Sequence, residues 1–231
     1  MYDFVRKDFL WDAWDRGLDN ALVSSGRFHL KTIQDLAVYA HLRDSSGQTI
    51  AEIGGGDSRV LRILSKSNRC TNIEKFEGAD GGPPKIIEIE GVTNILAFLG
   101  ERSPKLPNAH YDVVFSVSVV EHVPSERLSD FLDDGMRILK SGGLWLHAID
   151  FYLEDRPTDG QEARYSQYRN WMTDPRLKSI GPIFDGPLKF SCDMATNPDN
   201  VMYSWGKIAP ALTPLRKRAQ SVSIILAGRK V

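Results

Sequence analysis

Three consecutive glycines, Gly54, Gly55 and Gly56, follow a short apolar run and precede a segment of helical spacing in AEIGGGDSRVLRIL. Such glycines let the backbone turn sharply and let a ligand approach the main chain closely. The helix start that follows adds free N–H donors. A strand, a tight turn and a helix in this order hold nucleotide-like cofactors at the carboxyl ends of parallel strands. The pattern is not a dinucleotide fingerprint, because Arg59 occupies the third glycine position of G-x-G-x-x-G, and no phosphate-cradling G-x-x-x-x-G-K-[ST] occurs. Glu52, two residues before the first glycine, fits a cofactor that carries a charged amino acid in place of a pyrophosphate. Glu74 stands at the end of the next expected strand, where a carboxylate can accept both hydrogen bonds of a ribose diol. The competing readings are a plain turn for the glycines and a solvated loop acid for Glu74.

Proton transfer has three candidates near expected strand ends: His122, His147 and Asp150. His122, within Val120-Glu121-His122-Val123, can act as a neutral base. Alternatively, Glu121 and His122 only hydrogen-bond the loop and cap the next helix. In Leu146-His147-Ala148-Ile149-Asp150, His147 and Ile149 share a strand face and Asp150 lies one step beyond. Strand ends of this kind line clefts, so His147 and Asp150 are preferred over His122 as base or acceptor-orienting group. The competing reading of His147 is a satisfied core residue on an apolar strand.

Alternating strands and helices must position these groups. Residues 1–48 read as helical, with Leu30, Ile33, Leu36, Ala37 and Ala40 at helical spacing. Thr49–Ile53 reads as a buried strand, and Asp57 or Ser58 as the cap of a helix that turns Val60, Leu61 and Leu64 inward. Further strands are expected at Cys70–Ile73, Asn94–Leu99, Tyr111–Ser118 and Leu144–Ile149, with an extra edge strand in IIEIE, residues 86–90. Ser125–Lys140 reads as an amphipathic helix with Leu128, Phe131, Leu132 and Leu139 on one face, stopped by Ser141-Gly142-Gly143. The alternation breaks over 150–187, and Leu188–Cys192 with Ser221–Ala227 are expected to close the sheet as a pair. The class is α/β, a parallel-rich three-layer domain.

The 231 residues suit a single domain, 42% hydrophobic and 26% charged. A formal charge of −1 points to neither nucleic acid nor a membrane surface as partner. No stretch approaches the roughly 20 apolar residues that span a bilayer, the N-terminus lacks a signal-peptide core, and Cys70 and Cys192 suggest no disulfide framework. A cytoplasmic location is the natural expectation.

AEIGGGDSR resembles motif I of the S-adenosylmethionine (SAM) dependent methyltransferases with a Rossmann-like fold, of the methyltransferase type 11 kind. YDVVFSVSVVEHVP followed by RILKSGGLWL is similar to their later motifs, and the resemblance covers roughly residues 48–150. It implies a seven-stranded, mostly parallel sheet with one antiparallel strand. It implies SAM, converted to S-adenosylhomocysteine, as cofactor, with Glu52, Gly54 and Gly56 at the methionine part, Gly55 and Asp57 also binding the cofactor, and Glu74 at the ribose. The adenine position aligns with Leu99-Gly100-Glu101, or alternatively with Glu90-Gly91, and Ser116, Val117 and Ser118 fall beside the cofactor. Motif I often has glycine where Ser58 stands and Asp where Glu52 stands. Ubiquinone-pathway O-methyltransferases carry a metal-binding acid where this chain has Ser118, so no metal is expected.

The expected organisation is one domain: a helical cap over 1–48, with Phe4, Phe9, Trp11 and Trp14 folding over the cofactor, packing on the sheet or forming a homodimer contact; a core over 48–150; and an acceptor lid over 151–187. In that lid Tyr152, Tyr165, Tyr168 and Trp171 alternate with Arg156, Arg164, Arg169 and Arg176, which suits a flat or anionic acceptor, or else a mixed-charge solvated surface. The implied activity is methyl transfer to a small molecule, by O-methylation of a metabolite or sugar. The alternatives are a protein or lipid acceptor, or a SAM-binding protein without catalysis.

Overall fold

The computed structural model describes residues 1–5, 9, 12, 15, 16, 22, 30–78, 82–154, 158–186 and 219–231. Its strands are β1 (Tyr2–Phe4), β2 (Thr49–Ile53), β3 (Arg69–Ile73), β4 (Val92–Ile95), β5 (Tyr111–Val117), β6 (Leu139–Glu154), β7 (Leu177–Ser179) and β8 (Ala219–Lys230). The helices are α1 (Leu30–Leu42), α2 (Arg59–Leu64), α3 (Leu128–Ile138) and α4 (Asp159–Trp171). The strands form one sheet in the order β1-β8-β6-β5-β2-β3-β4, with β7 also on β8. Neighbours from β6 to β4 are parallel, whereas β8 is antiparallel to β1, β6 and β7. Seven strands therefore run one way and β8 runs against them.

Central strands of such a sheet must be apolar on both faces, and β6 shows the consequence. Trp145, Ile149 and Phe151 point into a core shared with Phe131 and Leu132 of α3 and Tyr168 and Trp171 of α4. Leu144, Leu146 and Ala148 point into a second core with Leu36 and Val38 of α1 and Val60 and Leu61 of α2. Helices thus cover both faces. On α3, a Cβ at Gly135 would overlap the Trp145 ring, so only glycine lets this helix lie so close to β6.

The expected three-layer α/β fold is present, with local corrections. Tyr2–Phe4 is a strand, not a helix: its backbone pairs with β8 at Tyr2–Leu226, Asp3–Ile225 and Phe4–Ile224, and burial of Tyr2 fixes it there. IIEIE forms no strand; β4 lies later, at Val92–Ile95, and ends before the expected Leu99. Leu139 belongs to β6 and not to the preceding helix, because pairing with Tyr111 overrides the helical spacing. Within 150–187, β6 continues to Glu154 and α4 begins at a reciprocal capping box between Thr158 and Gln161. Leu188–Cys192 lies outside the described residues, as do Trp11, Trp14 and Arg156.

Candidate active site

The chain leaves β2 toward β3 on one side, while β5 lies on the other. Ligands of open α/β sheets bind at such a switch point, outside the carboxyl ends of the strands. A cavity of about 770 Å³ opens there. Its walls come from the glycine loop, the end of β3, the turn after β4, the end of β5 and the first turn of α1.

The glycine loop owes its shape to two positive φ angles, +64° at Gly54 and +52° at Gly56. Between them, a Cβ at Gly55 would stand 2.8 Å from Asn72 Oδ1. Asn72 braces the loop: its Oδ1 accepts from the Gly55 N–H at 3.1 Å and its Nδ2 donates to the Gly56 carbonyl at 3.3 Å. Ser58 ends the loop, its hydroxyl accepting from the Leu61 N–H at 2.9 Å as the cap of α2. Glu52 is 3% exposed on the cavity wall, and its Oε2 accepts no well-formed hydrogen bond among the described residues. Burial pushes its carboxyl up to about 8.

Glu74 lies on the wall at the end of β3, one oxygen accepting from the N–H groups of Lys75 (2.9 Å) and Phe76 (3.3 Å). Lys75 stands over the Phe98 ring at 4.8 Å and pairs with Glu101 at 3.3 Å. Asp57 is also on the wall and pairs with Arg62. From α1, Lys31 and Asp35 reach the cavity, and Arg59 bonds Asp35 at 2.6 Å, which ties this helix to the loop.

The structure brings Glu52, Gly54, Gly55, Gly56, Asp57, Glu74, Val117, Ser118 and His122 to one cavity. It does not bring Gly100, Glu101 or Ser116 there. Ala97-Phe98-Leu99 form the wall where Gly100 and Glu101 were expected. Gly100 is turned onto the backbone of α3, its N–H donating to Asp134 at 2.7 Å. The rival Glu90-Gly91 lies on Ser65 at the end of α2, away from the cavity. Ser116 is fully buried on the α3 side, its hydroxyl bonded to His147 Nδ1 at 2.7 Å.

His147 is corrected by the same geometry. It has no exposed surface, its ring lies 4.0 Å from that of Trp145, and it is absent from the cavity wall. Burial lowers its pKa to about 3, which makes it a neutral core residue. Asp150 stands behind the wall, half-buried, where its Oδ1 accepts from Gln34 Nε2 at 2.5 Å and from Ser118 Oγ at 3.1 Å. His122 alone of the three faces the cavity, exposed on a 3-10 turn, Val120–His122. The segment 158–186 supplies no wall residue; its aromatics pack into the core and Arg164 bonds the carbonyls of Val120, Glu121 and Val123. Arg176 is engaged by Asp174 and Asp133.

Sequence reasoning missed Asn72, Phe98, Lys75 and the first turn of α1. A polar Asn72 in the buried run CTNI was the one available signal; the others became visible only through tertiary packing.

Residues 51–146 match the family model described as a methyltransferase domain. No curated protein matches the chain in sequence. Among solved structures, the geranyl diphosphate C-methyltransferase of Streptomyces coelicolor A3(2), with Mg2+, geranyl-S-thiolodiphosphate and S-adenosyl-L-homocysteine, is 15% identical, with a TM-score of 0.54 over 92% of this chain and 84% of that one. A phosphoethanolamine N-methyltransferase from Haemonchus contortus, holding phosphomonomethylethanolamine and S-adenosylhomocysteine, is 12% identical with a TM-score of 0.53 over 85% of this chain and 52% of that one. A chain from the Haloferax volcanii complex of the Trm112 methyltransferase activator with a methyltransferase is 18% identical, with a TM-score of 0.51 over 98% and 97%. The segment that carries the glycine loop and Glu74 thus matches a methyltransferase domain, and the chain shares the fold of solved methyltransferases that hold S-adenosylhomocysteine.

Proposed function

We propose that this chain transfers the methyl group of SAM to a small-molecule acceptor, with a metabolite or sugar hydroxyl as the first class to test. The observation that carries this reading is a single cavity in which the braced glycine loop, Glu74 and a chemically varied far wall meet. Its volume falls within the roughly 300–1,000 Å³ of small-molecule sites. In this reading Glu74 receives the ribose hydroxyls, Ala97-Phe98-Leu99 line the adenine, and Gly54–Gly56 pass under the methionine part. The sulfonium supplies an activated methyl group for in-line displacement. The chain's part is to align the acceptor with it and, for a protonated acceptor, to provide a base.

His122 is the proposed base, since it faces the cavity beside Ser118 and Val119. Asp150 acts behind the wall by holding Ser118 and Gln34. The roomy cavity speaks against a protein that binds the cofactor without an acceptor. Calorimetric titration with SAM and S-adenosylhomocysteine, followed by an acceptor screen with labelled SAM, tests the reading. Saturable binding and transfer to a hydroxyl acceptor support it. A folded protein that binds neither nucleoside removes it.

A further inference from the structure

We infer that Asn94, acting through Asn72, is a positioning residue for the cofactor: hydrogen bonds run from the glycine loop through both side-chain amides to the 82–87 wall of the cavity. This rests on the cofactor reading above and adds what holds the loop in its binding shape. The tripeptide Thr-Asn-Ile occurs twice, as Thr71-Asn72-Ile73 in β3 and Thr93-Asn94-Ile95 in β4. The two strands are parallel neighbours, and their register sets Asn72 against Asn94. Side chains alternate along a strand, so these partners share one face of the sheet. Asparagine is depleted in strands, so local propensity does not account for two in one register.

The bonds run head to tail. The Gly55 N–H donates to Asn72 Oδ1 at 3.1 Å, Asn72 Nδ2 donates to Asn94 Oδ1 at 3.3 Å, and Asn94 Nδ2 donates to the Ile87 carbonyl at 3.1 Å. Asn72 Nδ2 also donates to the Gly56 carbonyl at 3.3 Å, which uses both of its amide hydrogens. A carboxamide suits both places because it accepts at one end and donates at the other. Turning Asn72 over would set its amino group against the Gly55 N–H, and turning Asn94 over would set its oxygen against the Ile87 carbonyl. Bonds in such a chain polarise one another, so loss of the far link weakens the near one. Asn72 has no exposed surface, and a partner missing there is not replaced by solvent.

Both ends of the chain of bonds lie on the cavity wall, and neither asparagine does. Gly55 and Gly56 stand at one end, and Ile87 at the other, with Gly82 and Pro83 of the same segment. The two ends also meet: a Cβ at Gly56 would lie 3.4 Å from Pro83 Cδ. The relay therefore fixes, across two strands, where the loop sits against the segment that packs on it. The Gly54 N–H is committed as well, to the Ile73 carbonyl at 2.9 Å. The first two N–H groups of the loop thus maintain its shape and are not offered to a ligand. Asn94 is half-buried on the edge strand β4, so its truncation leaves the central sheet intact.

The test measures amide hydrogen exchange on 15N-labelled protein and calorimetric affinity for S-adenosylhomocysteine, in Asn94→Ala, Asn72→Ala and the double variant. In Asn94→Ala the Gly55 amide is expected to exchange at least about tenfold faster while the Val114 amide in central β5 keeps its rate, and the Kd for S-adenosylhomocysteine is expected to rise about three- to tenfold. Asn72→Ala is expected to raise Kd by about tenfold or more, and adding Asn94→Ala to it to change Kd by less than about twofold, because the link that carries the effect is already gone. A native Gly55 exchange rate or native affinity in Asn94→Ala, or losses that add in the double variant, overturns the inference and leaves the cofactor reading intact. Absence of S-adenosylhomocysteine binding by the native protein removes both. Should Asn72→Ala not fold, exchange and affinity in Asn94→Ala decide alone.

Discussion

Two residues at equal depth in the sequence pattern have opposite fates. Glu74 ends β3 on the cavity wall with one oxygen anchored by two backbone N–H groups. Glu74→Ala is expected to weaken SAM binding by about 1–3 kcal/mol, the worth of charged hydrogen bonds to a ligand. Calorimetry on the folded variant checks this, and unchanged affinity would remove Glu74 from the ribose role. His147 has the same period-two placement on its strand but faces α3 and α4, where Trp145 and Phe131 surround it. Its pKa is about 3 in the fold against 6.5 when solvated. The unfolded chain takes up the proton first, so stability is lost as the pH falls from 6.5 toward 3. The buried acids Glu52 and Glu121, raised to about 8, have the reverse effect: the fold binds their protons more tightly, so they cost stability as the pH rises from 4.5 through 8. The His147 contribution therefore has to be read as a difference between proteins. Between pH 6.5 and 5 the wild type is expected to lose about 2 kcal/mol relative to His147→Leu. Urea unfolding of both proteins at the two pH values measures it; a constant difference would contradict a neutral buried imidazole.

At the scale of elements, the local chemistry of each segment tells more than its hydrophobic period alone. Thr49–Ile53 and Tyr111–Val117 are mostly apolar runs, as suits central strands buried on two faces. The Ser58 cap and the glycine turn were equally legible, because caps and turns are written in a few adjacent residues. What stayed hidden depends on distant chain. Whether His147 or Ala148 faces the α3 layer is a matter of strand register, and β1 exists only because β8 offers it an edge. The arginine and tyrosine alternation over 151–187 suggested an acceptor lid, yet α4 buries Tyr165, Tyr168 and Trp171 and turns Arg164 onto the 120–123 turn. That contact makes α4 a support for the turn that carries His122. Arg164→Met keeps much of the aliphatic stem and removes the charge-assisted bonds to the carbonyls, for an expected loss of roughly 2–3 kcal/mol of stability. The acceptor KM is expected to rise several-fold while affinity for SAM stays within a factor of two. A matching loss of SAM affinity would mean that the turn serves the cofactor and not the acceptor.

For the molecule as a whole, the cavity is assembled from pieces far apart in the chain. Lys31 and Asp35, Gly54–Gly56, Glu74, Ala97–Leu99, and Ser118, Val119 and His122 meet only when the sheet has closed and α1 is tied to α2 through Asp35 and Arg59. The unfolded chain holds no such site, so a nucleoside that fills it binds the fold alone and stabilises it by mass action. At one hundred times its dissociation constant, S-adenosylhomocysteine is expected to add about 2.7 kcal/mol. For a chain of this length that corresponds to a rise in Tm of roughly 5–10 °C. The rise should grow with the logarithm of concentration, because each tenfold step adds about 1.4 kcal/mol once the site is saturated. ATP and NAD at equal concentration serve as controls. The loop between β2 and α2 has neither the glycine spacing of a dinucleotide site nor the lysine of a phosphate loop, so little shift is expected from them. A melting temperature that rises equally with all three compounds would identify a general nucleotide cleft, and one that stays flat with S-adenosylhomocysteine would show that these five segments do not form its site.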